Sequence, residues 1–456
     1  MAEEIKICKL IIKGYDQFKD IELDFTDPKT GKPLEQICFI GRNGTGKSRL
    51  LKVLDFFLTG DKTDIRDARF AIKLQVGTNN FYYIKSNNNT LSHDCYHKVE
   101  TENEDQWLER LTTQGNSIHG KYLLRGNEVD SLGQSVASFQ HKEHQKFLSI
   151  YCPPEDENNP LVNLADVPIT TLSDALKSNQ YIYHHQVSPS TISQFWERLL
   201  YLIEKRRSDK EKFEGIEGNQ NKTLKEFKDE FDKDNPKILD RIAIVWNQIL
   251  SKAGLEFDVE NAKVPLQLNQ NLQAYLRVKD SKKRVNYNAL STGIRNFIFK
   301  IGHIYSLYFD REVISGVLLL DEPENSLYPD FLYDLIDIYK QATTDKRGIS
   351  NTQIFVATHS PIIAAQFKPE ERIILDFDDD GGVTARRGNT PEGDDPNDVL
   401  KKDFAVRSLL GKKGIEKWER FLELKNKLRK NSNNEEANQW RNELMKIGEE
   451  YNFPVS

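Results

Sequence analysis

A chain of 456 residues with 38% hydrophobic and 29% charged side chains can bury two or three domain cores and leaves much helix facing water. No apolar run approaches the ~20 residues of a membrane-spanning helix, and the first residues enter a strand without an apolar leader, so no membrane partner and a cytoplasmic location are expected. The net charge of −6 argues against a uniformly basic nucleic-acid surface and leaves room only for a local groove. The cysteines Cys8, Cys38, Cys95 and Cys152 lack metal-ligand spacing, and Cys8 and Cys38 read as core thiols.

Residues 5–13 and 21–25 partly alternate and predict two strands joined by a turn over 14–19. A loop with Asp27-Pro28 and Gly31-Lys32-Pro33 leads into the apolar run 37–40. Directly after it comes Gly41-Arg42-Asn43-Gly44-Thr45-Gly46-Lys47-Ser48, which fits the G-x-x-x-x-G-K-[ST] phosphate loop in its proper place between strand and helix. Its glycines let backbone N–H groups turn inward onto phosphate oxygens. Lys47 adds a point charge, Ser48 offers a hydroxyl to Mg²⁺, and a helix over roughly 47–58 aims its positive end at the anion. The candidate nucleotide contacts here are Asn43, Gly44, Thr45, Gly46, Lys47, Ser48 and Arg49.

Strand-like pieces follow at 70–76, 81–84 and 148–152, the last closed by Pro153-Pro154. Residues ~190–260 change character, with helical spacing in Phe195, Leu199, Leu202, Leu224, Phe227 and Phe231 and a turn at Gly215 and 217–222. No apolar heptad persists, so a helical insertion is expected rather than a long coiled coil. Lys205, Arg206, Arg207, Lys210 and Lys212 form its dense basic cluster, either a solvated helix face or a strip for DNA. Strand signals resume at 255–257 and 272–278.

Residues 290–360 read as α/β. Ser291 and Gly293, in Leu290-Ser-Thr-Gly-Ile-Arg295, suit a helix cap and a close approach. Four apolar residues, 317–320, deliver Asp321 and Glu322 to the C-terminal end of a buried strand, where open α/β sheets bind ligands. Asp321 is the candidate Mg²⁺ ligand with Ser48, and Glu322 the candidate general base. A further buried strand ends at Thr358-His359-Ser360. His359 is either a structural histidine or a group that senses phosphate. A hairpin is predicted over 372–385, turning at 378–382, and the tail from ~395 is helical. Ile415, Trp418, Phe421, Leu422 and Leu428 mark one amphipathic helix there; Trp440, Leu444, Ile447 and Tyr451 mark another.

The phosphate loop, Leu290-Ser-Thr-Gly293, the run Leu-Leu-Leu-Asp-Glu-Pro-Glu-Asn-Ser-Leu-Tyr-Pro over 318–329 and Ala-Thr-His-Ser-Pro over 357–361 together resemble the OLD-type branch of ABC ATPases, relatives of RecF and SMC heads. That resemblance implies an α/β fold: an ABC-type ATPase head with a P-loop mixed sheet, a helical insertion and a helical C-terminal tail. The head halves are then expected at 1–185 and 263–394, the insertion at 186–262 and the tail at 395–456. It implies that ATP and Mg²⁺ lie between Lys47, Ser48, Asp321 and Glu322 of one copy and Ser291, Gly293 and the 324–329 turn of another. A homodimer or higher homo-oligomer follows, with His359 as the switch that senses the γ-phosphate. Tyr328 stands where the branch usually has His, and Asp16 where it has a basic residue near the base, which leaves the adenine contact open. Gln145 and Gln186 are the candidates for the Q-loop glutamine. Asp376-Phe377-Asp378 has the spacing of a Toprim nuclease pair, yet no earlier acidic strand precedes it, and intrinsic nuclease activity is not expected. Size, single head and short tail are similar to the stand-alone ATPase subunits of the Septu and PARIS antiphage systems, which implies a separately encoded nuclease effector. The alternative is a RecF-like repair ATPase with DNA itself as partner.

Overall fold

The apolar runs become two sheets and a helical layer in the computed structural model. It describes residues 4–59, 69–85, 94–97, 147–154, 184–188, 191–216, 218–219, 221–258, 276–285, 290–309, 311, 313–406, 408–430, 436–451 and 453–454. In chain order the strands are β1 (Ile5–Tyr15), β2 (Phe18–Asp24), β3 (Gln36–Gly41), β4 (Arg69–Val76), β5 (Asn79–Lys85), β6 (Asp94–His97), β7 (Phe147–Cys152), β8 (His184–Gln186), β9 (Leu255–Phe257), β10 (Leu276–Val278), β11 (Ser315–Asp321), β12 (Thr352–Ala357), β13 (Arg372–Phe377) and β14 (Val383–Arg387). The helices that position the site are α1 (Lys47–Thr59), α2 (Thr191–Glu214), α3 (Leu224–Asp234), α4 (Ile238–Lys252), α5 (Thr292–Phe309), α6 (Pro329–Leu332), α7 (Leu335–Ala342) and α8 (Pro361–Ala364).

One sheet runs β2-β1-β4-β5-β6 with antiparallel neighbours throughout. The other runs β14-β13-β3-β12-β11-β7-β8, parallel except for the β13–β14 hairpin. Every residue of β3, β7, β11 and β12 is buried, as parallel strands covered on both faces require. The fold is α/β with a mixed sheet. Between the two sheets lies a single core in which Phe25 meets Phe355 edge-on at 5.2 Å and α1 contributes Leu50, Leu51, Val53 and Leu54. Buried Gln353 ties the two sheets by hydrogen bonds: its Oε1 accepts from Ile7 N at 2.8 Å, and its Nε2 donates to Ile7 O and Leu34 O at 2.9 and 2.8 Å.

The first connection is tighter than the sequence suggests. The β1–β2 ladder runs to Tyr15 opposite Phe18, so only Asp16 and Gln17 stand outside it, with Asp16 at φ 51°. A left-handed residue matches the twist of a two-residue hairpin, and Asp tolerates it. The expected strand over 272–278 is described only as β10, paired with β9; residues 272–275 lie outside the described residues, as does Gln145.

The segment after 190 forms α2, α3 and α4. Phe195, Leu199, Leu202, Phe227 and Phe231 are buried, whereas Leu224 is 89% exposed. Leu224 opens α3 inside the Thr223–Glu226 capping box, on a first turn that leaves its side chain exposed. Phe195 and Trp246 pack with Phe299 of α5, and Trp246 Nε1 donates to Ile298 O at 2.9 Å. The basic cluster is largely paired: Arg206 with Asp232, Arg207 with Glu211, Lys210 with Glu214 and Lys212 with Asp209.

Two compact units result, Met1–Asp394 and Asp395–Ser456. In the second, α9 (Pro396–Lys402) precedes α10 (Lys412–Lys430) and α11 (Ala437–Tyr451). Phe421, Leu424, Leu444, Ile447 and Phe453 form its core, with Trp418, Leu428, Trp440 and Tyr451 against it. Ile415 and Leu422, expected on the apolar stripe, are exposed, and Leu424 takes the buried position instead. No helix among the described residues is long and apolar enough to cross a membrane.

Candidate functional site

Parallel pairing puts three strand ends side by side. Asp321 on β11 stands opposite Ala357 on β12, and Ala357 opposite Phe39 on β3. Whatever follows each strand therefore meets at one edge of the sheet, where ligands of α/β folds bind. Three sequence segments arrive there: the Gly41–Ser48 loop, Asp321-Glu322, and Thr358-His359.

The loop is held from behind by the β1–β2 turn. Gly46 has φ 91°, and a Cβ there would overlap the Gln17 amide and the Phe18 ring, so only glycine fits. Gln17 Nε2 also donates to Gly44 O at 3.2 Å. Thr45 is buried and its Oγ1 donates to Arg42 O at 2.9 Å, while Asn43 and Gly44 face solvent. Lys47 folds back over the loop, its Nζ donating to Gly41 O at 2.9 Å and Arg42 O at 3.3 Å. Burial pushes its pKa down to about 8, against the pull of Glu322 and Asp321. Arg49 is exposed and turned aside: Asp16 Oδ2 lies 2.6 Å from its Nη1, which also donates to Tyr15 Oη at 3.2 Å. The acid that replaces the expected basic residue thus neutralises a neighbouring arginine.

Ser48 Oγ donates to Asp321 Oδ1 at 2.9 Å. Asp321 is buried, which raises its pKa to about 6 despite the Ser48 bond. Its second oxygen, Oδ2, is buried without a well-formed hydrogen bond among the described residues, and the Tyr151 hydroxyl lies near the carboxylate, which raises the tyrosine pKa. A buried carboxylate oxygen beside a serine hydroxyl suits a hard divalent cation that takes oxygen ligands. No cluster of three or more His, Cys, Asp or Glu able to hold a metal exists among the described residues; Ser48 and Asp321 are the residues whose oxygens could hold Mg²⁺.

Glu322 follows with φ 48°, a backbone region costing ~1–3 kcal/mol for a non-glycine residue and found at functional sites. Its Oε1 lies 3.4 Å from His359 Nε2, and its Oε2 accepts from Asn325 Nδ2 at 3.1 Å. Burial first, then Lys47, lowers the pKa of His359 against the opposing pull of Glu322. Glu324, which the sequence presents only as part of the turn motif, organises the histidine loop. Its Oε1 accepts from Thr358 Oγ1 at 2.6 Å, His359 N at 2.8 Å and Ser360 N at 3.2 Å. The signal in the sequence is an acid two residues beyond Glu322 that must find donors once the turn buries it.

Ser291 and Gly293 flank the first residue of α5, Ser291 exposed and Gly293 buried. Ser291 is exposed and its Oγ accepts from Ile294 N at 3.4 Å, capping α5. A Cβ on Gly293 would overlap the Ser326 carbonyl, so the glycine permits α5 to abut the turn after β11. No hydrogen bond or ion pair links Ser291 or Gly293 to Lys47, Ser48 or Asp321 among the described residues. Gln186 ends β8, two strands from β11. Asp376 and Asp378 serve the hairpin: Asp376 Oδ2 lies 3.4 Å from Arg386 Nε, and Asp378 Oδ1 accepts from Asp380 N at 3.0 Å.

Among solved structures, the SMC head domain from Thermotoga maritima matches with a TM-score of 0.37 and 10% identity, over 84% of this chain and 100% of that one. The recombination mediator protein RecF bound to ATP matches with a TM-score of 0.30 and 12% identity, over 78% of this chain and 92% of that one. No curated protein matches the chain. A family model described as an AAA ATPase domain matches residues 5–364, a span that contains the phosphate loop, Asp321, Glu322 and His359. The assignment stands on that match: the chain belongs to the AAA ATPase domain family.

Proposed function

We propose that the chain binds ATP with Mg²⁺ at the Lys47 loop and hydrolyses it between two copies of itself, and that this clasp controls a separate nuclease effector in antiphage defence. The observation that carries the chemistry is the Ser48–Asp321 bond at 2.9 Å beside Glu322 and His359. Lys47 and the loop amides would hold the phosphates, and Ser48 with Asp321 would hold the cation. When bound, Mg²⁺ neutralises charge on the phosphoryl oxygens. Glu322, held on both carboxylate oxygens by Asn325 and His359, is placed to take a proton from water. Lys47 neighbours Glu322 and Asp321 electrostatically.

The two-copy reading is supported by the absence, among the described residues, of any hydrogen bond from Ser291 or Gly293 to Lys47, Ser48 or Asp321 of the same chain. A second chain would bring them to the exposed side of bound phosphate, adding charged hydrogen bonds that hydrolysis removes. Control of a separate nuclease rests on the resemblance of the single head and short tail to antiphage ATPase subunits. Direct action on DNA is the alternative reading, in which the basic cluster of α2, four of whose five members stand beside acids on α2 and α3, would meet the phosphate backbone.

Mixing two inactive variants tests the shared site. Lys47→Ala removes the phosphate contact, and Ser291→Arg blocks the contribution across the boundary. A mixed dimer keeps one site with both wild-type halves, so ATP hydrolysis should return on mixing. Failure of each variant alone and of the mixture would refute the shared site.

A further inference from the structure

We propose that Phe377 is the platform on which the base of the bound nucleotide stacks. The inference rests on the reading of Gly41–Ser48 as the phosphate loop and adds the subsite that the loop itself leaves undefined. Strand order gives the direction. In the sequence β13-β3-β12-β11 the loop after β3 has Asp321 and Glu322 to one side and the end of β13 to the other. A nucleotide whose terminal phosphate faces the two carboxylates carries its base toward β13.

Phe377 is the last residue of β13. Its predecessors 372–375 are buried, but its own ring is 44% exposed. The ring is not loose on the surface: its Cζ stands 3.7 Å from where a Cβ on Gly44 would be, against the outer wall of the phosphate loop. The hairpin that bears it is pinned to the same β1–β2 turn that braces the loop. Val383 N donates to Gln17 O at 3.1 Å, Lys19 Nζ donates to Asp380 O at 2.8 Å, and Gln17 reaches Gly44 O. An open apolar face held at fixed distance from a phosphate site is what stacking on a base requires. Asp378, Asp379 and Asp380 follow immediately and would repel phosphate, so this end suits the uncharged base and its ribose rather than a second anion.

The test compares two probes on the full chain by calorimetry, MgATP and Mg-tripolyphosphate, which share phosphates but not the base. Phe377→Ala should weaken MgATP about tenfold and leave tripolyphosphate within about twofold, while Phe377→Trp restores MgATP affinity. Unchanged MgATP affinity in Phe377→Ala, or an equal loss for both probes, would overturn the platform and leave the phosphate loop standing. A wild-type chain that binds neither probe would overturn the loop reading and the platform with it.

Discussion

Asp321 sits where two demands compete. Burial favours its neutral form and raises its pKa to about 6, while the Ser48 hydroxyl favours the carboxylate. A bound cation would settle the matter in favour of the anion. Next to it Glu322 is the residue whose loss should separate binding from chemistry. Glu322→Gln keeps shape and volume, so ATP should stay bound and a dimer should accumulate by light scattering, while turnover falls ~10²–10⁴-fold. Undiminished turnover would refute the base assignment. Away from the site, His303 on α5 is buried with neither ring nitrogen hydrogen-bonded, and burial pushes its pKa from 6.5 down to about 3, helped by Arg311 and Arg198. Above pH 6.5 the ring is neutral in both folded and unfolded chains and adds no pH dependence. Below it only the unfolded chain takes the proton, so stability falls by ~1.4 kcal/mol per pH unit down to about pH 3. His303→Phe should remove ~2 kcal/mol of the stability lost between pH 6.5 and 5, read from urea midpoints; an unchanged slope would exclude His303 as its source.

Among elements, the turn after β11 does the most. It starts at Glu322 with φ 48°, passes Ser326 at φ 64° and enters α6 through Pro329. Glu324 ties it to the histidine loop, and Gly293 lets the start of α5 rest on its backbone. The turn therefore couples the Ser291 segment to Glu322 within one chain. Gly293→Ala would push the Ser326 carbonyl away and re-aim Glu322. Misplacement on the order of 1 Å can cost ~10²-fold in rate. Hydrolysis should fall at least about tenfold. Equal hydrolysis in the variant would show that the turn absorbs the methyl group without consequence.

For the whole molecule, the division into Met1–Asp394 and Asp395–Ser456 places every candidate nucleotide residue in the first unit. The second has its own aromatic core, where Trp418 meets Phe453 at 4.8 Å and Phe421 meets Phe453 at 5.5 Å. A chain ending at Asp394 should therefore fold and bind MgATP as the full chain does. Loss of ATP binding on truncation would show that the helical unit is needed for the site. If the tail carries a partner, effector capture should disappear in the same truncated chain while ATP binding persists.

Much of this was legible in the residues themselves. Fully buried parallel strands such as β3, β11 and β12 read as short apolar runs ending in polar residues, because each needs only its own side chains to declare its burial. The phosphate loop is legible for the same reason: glycine spacing, Lys47 and Ser48 act on one ligand over eight residues. Leu224 and Ile415 show where that logic stops, since a helical period names a stripe but not which of its ends lacks a neighbour. Only the folded chain could reveal that Gln353 joins the two sheets, that Glu324 holds His359, or that Phe377 stands beside Gly44. By itself the sequence determined the chemical character of each strand end; the tertiary structure decided which ends share an edge, because strand order depends on contacts between residues hundreds of positions apart that no local pattern encodes.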